Sequence, residues 1–523
     1  MTMTRPRLPF AGALALFVLA AGCDSALDPE PFGIETIENQ LSSPQGAVPF
    51  VTGIYEPLAG LYGSNGAPMT LILESGTDDA WPFAQFAGSF KERGLTGGEN
   101  EIRSMWGKQL GDGIGRANFY LESEGAIDFG SQDALRRQLR GEALFLRAFY
   151  YFNLVRTFGD VPLFTTALRT VESAQVPRTP TAEVYAQIKA DLSEAIPLLP
   201  DTYAGSGLGQ EVGRVTSGAA RTLLGKVHLT LEEWQRVLDV TAPLEGRYSL
   251  RPNYIDNFYG LIGDTGGENR VESIFEVQFA VQGSGPTSQI RVNYTPVGVR
   301  DGQNRLFPTD DAYLRSEPGA YGPNALVQAF EPGDARFGVT LDRFGATRSS
   351  NSGVYPARDA NGNVVTRTNA NGEEEVVLAR EYFVRKWFSD VGNTETRWNV
   401  PILRYAEVLL MRAEAFAELG QTANAVPLVN RVRQRAGLAP LAADVDVVQA
   451  VRRERRTELA FEHKRLFDLN RWGILPQALA LQGVQIDPSK VTAHPVTGKP
   501  QVLYPISSDE LQRNPNATQN AGY

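Results

Sequence analysis

At 523 residues the chain exceeds one ordinary hydrophobic core, although solenoid-like helical folds reach this length without a clean division. Lys and Arg number 50 against 60 Asp and Glu, a formal charge of −10 with a pI near 5.2, so no general basic surface is offered to nucleic acid or to an anionic membrane face. The 51 glycines, 32 prolines and 18 tyrosines call for long, shaped, aromatic-bearing loops beside any helices.

Residues 1–22 read as an export signal: Arg5 and Arg7 supply the positive end, Phe10 to Ala21 the apolar stretch, and small residues follow. The stretch is too short for an ordinary membrane span. Cys23, the sole cysteine, directly follows Leu19-Ala20-Ala21-Gly22, which is similar to the signal of bacterial lipoproteins, where that cysteine is lipidated. The common pattern has leucine three places before the cysteine; here Ala20 stands there and Leu19 precedes it. Acyl chains on Cys23 would anchor the protein at roughly 0.8 kcal/mol per buried methylene. Residues 23–40, with Asp24, Asp28, Pro29 and Pro31, read as a tether to the folded body. No later stretch is apolar enough to cross a bilayer, and no second cysteine exists to form a disulfide within the chain.

The spacing predicts a helix over 44–61. Residues 71–90 carry Trp81, Phe83, Phe86 and Phe90, interrupted by Pro82 and Gly88, a pattern that suits an aromatic loop better than an amphipathic helix. This loop is the first candidate ligand surface; the alternative is that its aromatics pin it to the body. Residues 102–124 read as helix with glycines placed for close packing, since no Gly-Lys-Ser/Thr follows them and no strand precedes. A long helix over 134–158, apolar nearly all round in its second half, is expected to be buried. A helix over 181–199 follows, capped by Thr181 with Glu183 and Asp191 outward, and residues 213–240 supply two more. Ala143-Leu146-Ala148-Phe152 and Ala220-Leu223-Gly225-Leu229 share a spacing of small and large residues, a weak internal repeat of the tetratricopeptide kind.

Residues 250–395 change character, with strand-like runs at 273–281 and 381–389 among turns rich in Gly, Asn and Pro. The segment from Asp359 to Val377 is no calcium loop, because Val364 and Ala370 stand where glycine and glutamate are needed. Its two Asn-Gly pairs indicate hairpin turns. Helices return over 401–419, 421–436 and 446–471. Glu407 and Glu414 in the first, and Arg455 and Glu462 in the last, occupy positions where the period calls for aliphatic side chains, so a buried charged network between the two helices is expected. Pro505, Pro515 and the Asn-rich end argue against a terminal helix.

Three collinear blocks, VPILRYAEVLLMRAEAFAELG from Val400, RRERRTELAFEHKRLFDLNRWG from Arg452 and LYPISSDELQRNPNATQNAGY from Leu503, resemble the SusD/RagB family of outer-membrane nutrient-binding lipoproteins. The resemblance implies a mainly α fold: tetratricopeptide-like helix pairs at about 41–249 and 396–523, forming one body over 41–523, with a variable ligand-loop and short-strand insertion at about 250–395. It also implies an outward-facing, lipid-anchored binder that delivers glycan to a SusC-like TonB-dependent transporter of the outer membrane; no catalysis, no cofactor, no metal-ligand set and no nucleic-acid partner are expected. Peptide is the alternative cargo. The candidate ligand contacts are Trp81, then Phe83, Phe86, Tyr294 and Tyr321, while Trp472 belongs to the family's structural Arg-Trp-Gly block.

No His-Glu-x-x-His or Gly-x-Ser-x-Gly motif occurs, and His228, His463 and His494 are scattered along the chain. The enzymatic rival is a glycoside hydrolase using Glu74, Asp78 or Asp79 beside Trp81, but adjacent Asp78 and Asp79 cannot flank one bond from opposite faces. Carboxylates there are expected to form a polar rim. The remaining rival is a helical scaffold that binds only another protein.

Overall fold

The computed structural model describes residues 41–63, 67–82, 85–203, 213–258, 271–279, 306–308, 326–343, 366–368, 374–376, 382–384, 386–387, 399–442 and 444–523. The export signal, Cys23, the tether, Phe83, Tyr294 and Tyr321 lie outside these residues, as do both Asn-Gly pairs and the other candidate aromatics Tyr313, Tyr355 and Trp398.

Helix α1 (Pro44–Tyr62) starts where Ser43 caps it and Pro44 fixes the first backbone angle, then α2 (Pro68–Ser75) is buried along its whole length. The segment expected as an aromatic loop is instead built from α2, a three-residue strand β1 (Ala80–Pro82) and α3 (Gln85–Glu92). Pro82 separates strand from helix rather than keeping the whole stretch irregular. Helices α4 (Asn100–Gly107) and α5 (Gly115–Ser123) flank a wide π turn at Lys108–Ile114. The expectation of close packing holds for one glycine there: a Cβ on Gly113 would lie 2.3 Å from the Tyr150 ring, whereas Gly111 and Gly115 face open space. The Tyr150 hydroxyl passes this gap and donates to the Ile54 carbonyl at 2.6 Å.

Helix α6 (Asp133–Phe158) is buried on every side from Gly141 to Val155 and stops at Gly159, whose φ of 74° suits glycine. It packs along α7 (Thr181–Leu198), and from there α8 (Ser217–Thr230), α9 (Trp234–Thr241), α10 (Tyr405–Glu418), α11 (Thr422–Arg435) and α12 (Val447–Glu458) stack in order. The stack therefore passes from α9 to α10 across the residues 242–404 that intervene in sequence. Two details of α7 differ from expectation. Thr181 is its first residue and donates to Asp160 from backbone and hydroxyl at 2.7 Å each, and Asp191 points inward, paired with Arg147 at 2.6 Å. At Gly225 of α8 a Cβ would meet Thr241 of α9 at 2.7 Å, a contact that keeps this helix pair close.

Two further corrections fall at the C-terminal helices. Residues 400–404 are a strand, β8 (Val400–Arg404), paired antiparallel with β2 (Ser273–Val277) from Ser273↔Arg404 to Val277↔Val400, and all ten side chains are buried. The run Ser273–Val277 thus belongs to the core of the helical body. The expected helix over 446–471 is two: α12 ends at Glu458 and α13 (Arg465–Arg471) begins after a turn in which Phe461 and His463 take φ of 58° and 61°. Helix α14 (Leu475–Ala480) and the hairpin β9 (Val491–Ala493) with β10 (Pro500–Val502) follow. The tail packs back on the body, with Tyr504 donating to the carbonyls of Thr157 and Ile72 and Asn520 to that of Phe158, and it contains one short helix, Ser508–Arg513, which the prolines flank.

Candidate functional site

Trp81 lies on β1, whose partner is β3 (Leu306–Pro308), with Trp81 opposite Phe307. β3 in turn neighbours β7 (Tyr382–Val384), which pairs with β4 (Leu341–Arg343). The backbone therefore gathers the Trp81 strand with three strands of the 250–395 region. Phe86 is on α3, immediately after this strand. The strands β5 (Thr366–Thr368) and β6 (Glu374–Val376), which flank the second Asn-Gly pair in sequence, pair antiparallel.

What fixes this strand is electrostatic. Glu74, Asp78 and Asp79 are fully buried, not a polar rim. Arg465 of α13 holds Asp78 with two bonds, Nε at 2.8 Å and Nη2 at 2.7 Å, and Arg456 of α12 donates to Asp79 at 2.7 Å. Lys91 of α3 donates to the Ala80 carbonyl at 2.9 Å, and Gln482 donates to that of Asp78. Burial pushes the Asp78 carboxyl up, but Arg456 and Arg465 outweigh it and hold the group well below its usual range. At Asp79 burial prevails over Arg456, and the carboxyl is raised. Burial brings the Lys91 ammonium down to about 7 against the pull of Asp78 and Asp79. Glu74, raised by burial to about 8, accepts from the His463 N–H at 2.6 Å.

The expected charged residues Glu407, Glu414, Arg455 and Glu462 are each at most 3% exposed, and their partners are more numerous than the pairing of two helices suggests. Arg471 grips Glu414 through both terminal nitrogens at 2.6 and 2.7 Å, and Trp472 Nε1 donates to the same carboxylate at 2.7 Å. Arg455 pairs with Asp468 at 2.9 Å and stands 3.9 Å from Glu414. Glu407 takes Lys226 of α8 at 2.7 Å. Glu462 accepts from Lys386 at 2.6 Å and from Arg404 at 2.7 and 2.8 Å. Beyond these, Glu458 is shared by Arg404, Arg435 and Arg336, and Arg336 also meets Glu454 at 2.6 Å. Arg336, Lys386 and Trp387 come from the 250–395 region, and Trp387 Nε1 donates to the Phe461 carbonyl at 3.0 Å. Burial opposes ionisation of Glu407 and Asp468, but the surrounding cations bring each to about 2.

Sequence reasoning missed Lys226, Arg336, Arg404, Asp468 and Glu458 as partners. Arg404 was legible as a charge at the end of the apolar run Val400–Leu403, but Arg336 and Lys386 sit in stretches without a period to mark them. Among the described residues no group of three or more His, Cys, Asp or Glu is arranged to hold a metal ion. This arrangement supplies a charge-neutralised mount for β1, with its carboxylates committed to arginine and lysine.

The family described as the SusD family matches residues 271–523, and one described as starch-binding associating with outer membrane matches residues 96–229. Two SusD-like proteins of Formosa agariphila are each 26% identical, one over 98% of this chain and 98% of its own, the other over 94% of each. Among solved structures, a SusD homolog from Bacteroides thetaiotaomicron superposes with a TM-score of 0.72 at 22% identity, covering 93% of this chain and 98% of that one. A SusD superfamily protein from Bacteroides vulgatus gives 0.70 at 23% identity, over 92% and 99% of the two chains. A laminarin-binding SusD-like protein gives 0.67 at 26% identity, over 91% and 99%.

Proposed function

The chain belongs to the SusD/RagB family, and from that premise we propose that it captures oligo- or polysaccharide at the outer membrane by non-covalent binding. The observation that carries this reading is the gathering of the Trp81 strand with β3, β7 and β4 on a mount of buried ion pairs. Sugar rings stack their C–H patches on flat aromatic faces while hydroxyls meet polar groups at the edge, so a binder needs few residues held in fixed relation. A rigid support lowers the ordering cost of such a surface. The laminarin-binding relative, alike over nearly its whole length, supports a glycan as the cargo.

Hydrolysis is disfavoured by the site itself. Asp78 and Asp79, the acids nearest Trp81 in sequence, are buried against Arg465 and Arg456, out of reach of a glycosidic bond. In this reading acyl chains on Cys23 hold the protein at the membrane, facing outward, and a SusC-like TonB-dependent transporter receives the glycan.

The test is a titration of the purified mature protein against a panel of polysaccharides and peptides, repeated with Trp81→Ala. A glycan that binds the parent and loses about 1–3 kcal/mol of affinity in the variant supports the proposal. Binding of peptides alone, or release of sugar on prolonged incubation, overturns it.

A further inference from the structure

A cavity of about 590 Å³ lies where α12, the α13–α14 corner and the turn Leu326–Ala329 meet, a size in the range of small-molecule sites. Arg452, Arg453, Arg456 and Arg465 all line it, and among the described residues no carboxylate does. Asp78 and Asp79 stand behind the wall and match Arg456 and Arg465, which leaves two guanidinium groups in excess. Arg453 is exposed. Arg452 lies over the Trp472 ring, 4.8 Å from its centroid, with its Nε buried and lacking a hydrogen-bond acceptor. Ile474, Ala478 and Leu481 also line the cavity, and Leu481 is half exposed.

A wall with cations beside an apolar strip fits a ligand unit that has a C–H face and a negative group. We infer that this cavity is a subsite for a sugar unit bearing a carboxylate or a sulfate. Guanidinium forks match the paired oxygens of either group, and the ring's C–H side lies against Ile474 and Leu481. The chain's net charge of −10 does not oppose this, because distant charges are screened beyond about 8 Å at physiological salt while the lining arginines are in contact. The inference rests on the glycan reading and adds the class of sugar. It also places the subsite against Trp81's support, since Arg456 and Arg465 line the cavity and hold the two carboxylates before β1.

Calorimetry of the purified mature protein with three oligosaccharides of equal length tests it: a neutral galactan, a galacturonan and a sulfated galactan. At least one acidic oligosaccharide is expected to bind about tenfold or more tighter than the neutral one, with an advantage that shrinks as NaCl is raised. The double variant Arg452→Gln/Arg453→Gln, whose fold is checked by circular dichroism, is expected to abolish that advantage. Leu481→Asp, which keeps every arginine and places a like charge at the mouth, is expected to weaken acidic binding as well. The two acidic arms tell carboxylate from sulfate. Equal binding of neutral and acidic oligosaccharides, or an acidic preference that survives the double variant, overturns the subsite and leaves the glycan reading standing. Failure of all three ligands together with the wider glycan panel overturns both.

Discussion

The two halves of the helical stack are held in different ways. Around α6 the interior is aromatic: Phe145 and Phe149 stack at 6.1 Å, and both meet Phe275 edge to face at 5.3 and 6.1 Å. Under α12 and α13 it is ionic, with Arg404, Arg336, Arg455 and Arg471 each buried among carboxylates. Apolar burial is non-directional, whereas forked arginine pairs fix distance and direction at once. The ionic half is also the one that holds β1, through Arg456 and Arg465, so the stricter geometry lies where the candidate site is mounted.

The comparison breaks first at Arg404. Arg404→Ala removes the cation that Glu272, Glu458 and Glu462 have in common, leaving Arg435 on the first two and Lys386 on the third, and a loss of about 3–5 kcal/mol is expected in urea unfolding. An unchanged midpoint would mean that the ion pairs of Arg404 contribute no net stability. Phe149→Ala on the aromatic side is expected to cost about 3 kcal/mol by leaving a cavity, with the ion-paired half still protected in hydrogen exchange. Gly113→Ala pushes a methyl into the Tyr150 ring and is expected to cost about 1–3 kcal/mol through overpacking.

Acid separates the halves without mutation. Glu407 and Asp468 sit at about 2 in the folded state, below the usual carboxylate range, so the stability they contribute is full above about pH 4.5 and is lost as pH falls toward 2. Hydrogen exchange between pH 6 and pH 3 is expected to open α10, α12 and α13 before α6. The smallest effect belongs to the exposed pair Arg169–Glu122: Arg169→Ala should leave the urea midpoint where it is, marking how far burial separates one ion pair from another.

Helices α1, α6 and α11 were legible because apolar side chains run through each and glycine or proline punctuates their ends. The break after α12 was not. Leu459, Glu462 and Leu466 keep a helical spacing across it, and no glycine marks the turn; Phe461 and His463 adopt left-handed angles because Glu74, Lys386 and Trp387, distant in sequence, bind the backbone there. For the same reason Glu462 was assigned to the stripe of a single helix, while its real partners are Lys386 and Arg404. Strand β8 was concealed by Pro401–Leu403, a run as apolar as the helix that follows, and only pairing with β2 decides between the two. At the candidate site, the order Asp78-Asp79-Ala80-Trp81 pointed to the right stretch, but the burial of its carboxylates depends on two arginines nearly four hundred residues away.

Arg336, Lys386 and Trp387 act as stitches between the long excursion and the body. Chain added between stitches costs little, since closing a longer loop grows only with the logarithm of its length, roughly 0.6 kcal/mol per doubling. A designer seeking new cargo would therefore vary the chain between Arg336 and Lys386 and leave the three knots tied. Cutting a knot would unseat the turn at Phe461 and, through it, the strand that carries Trp81.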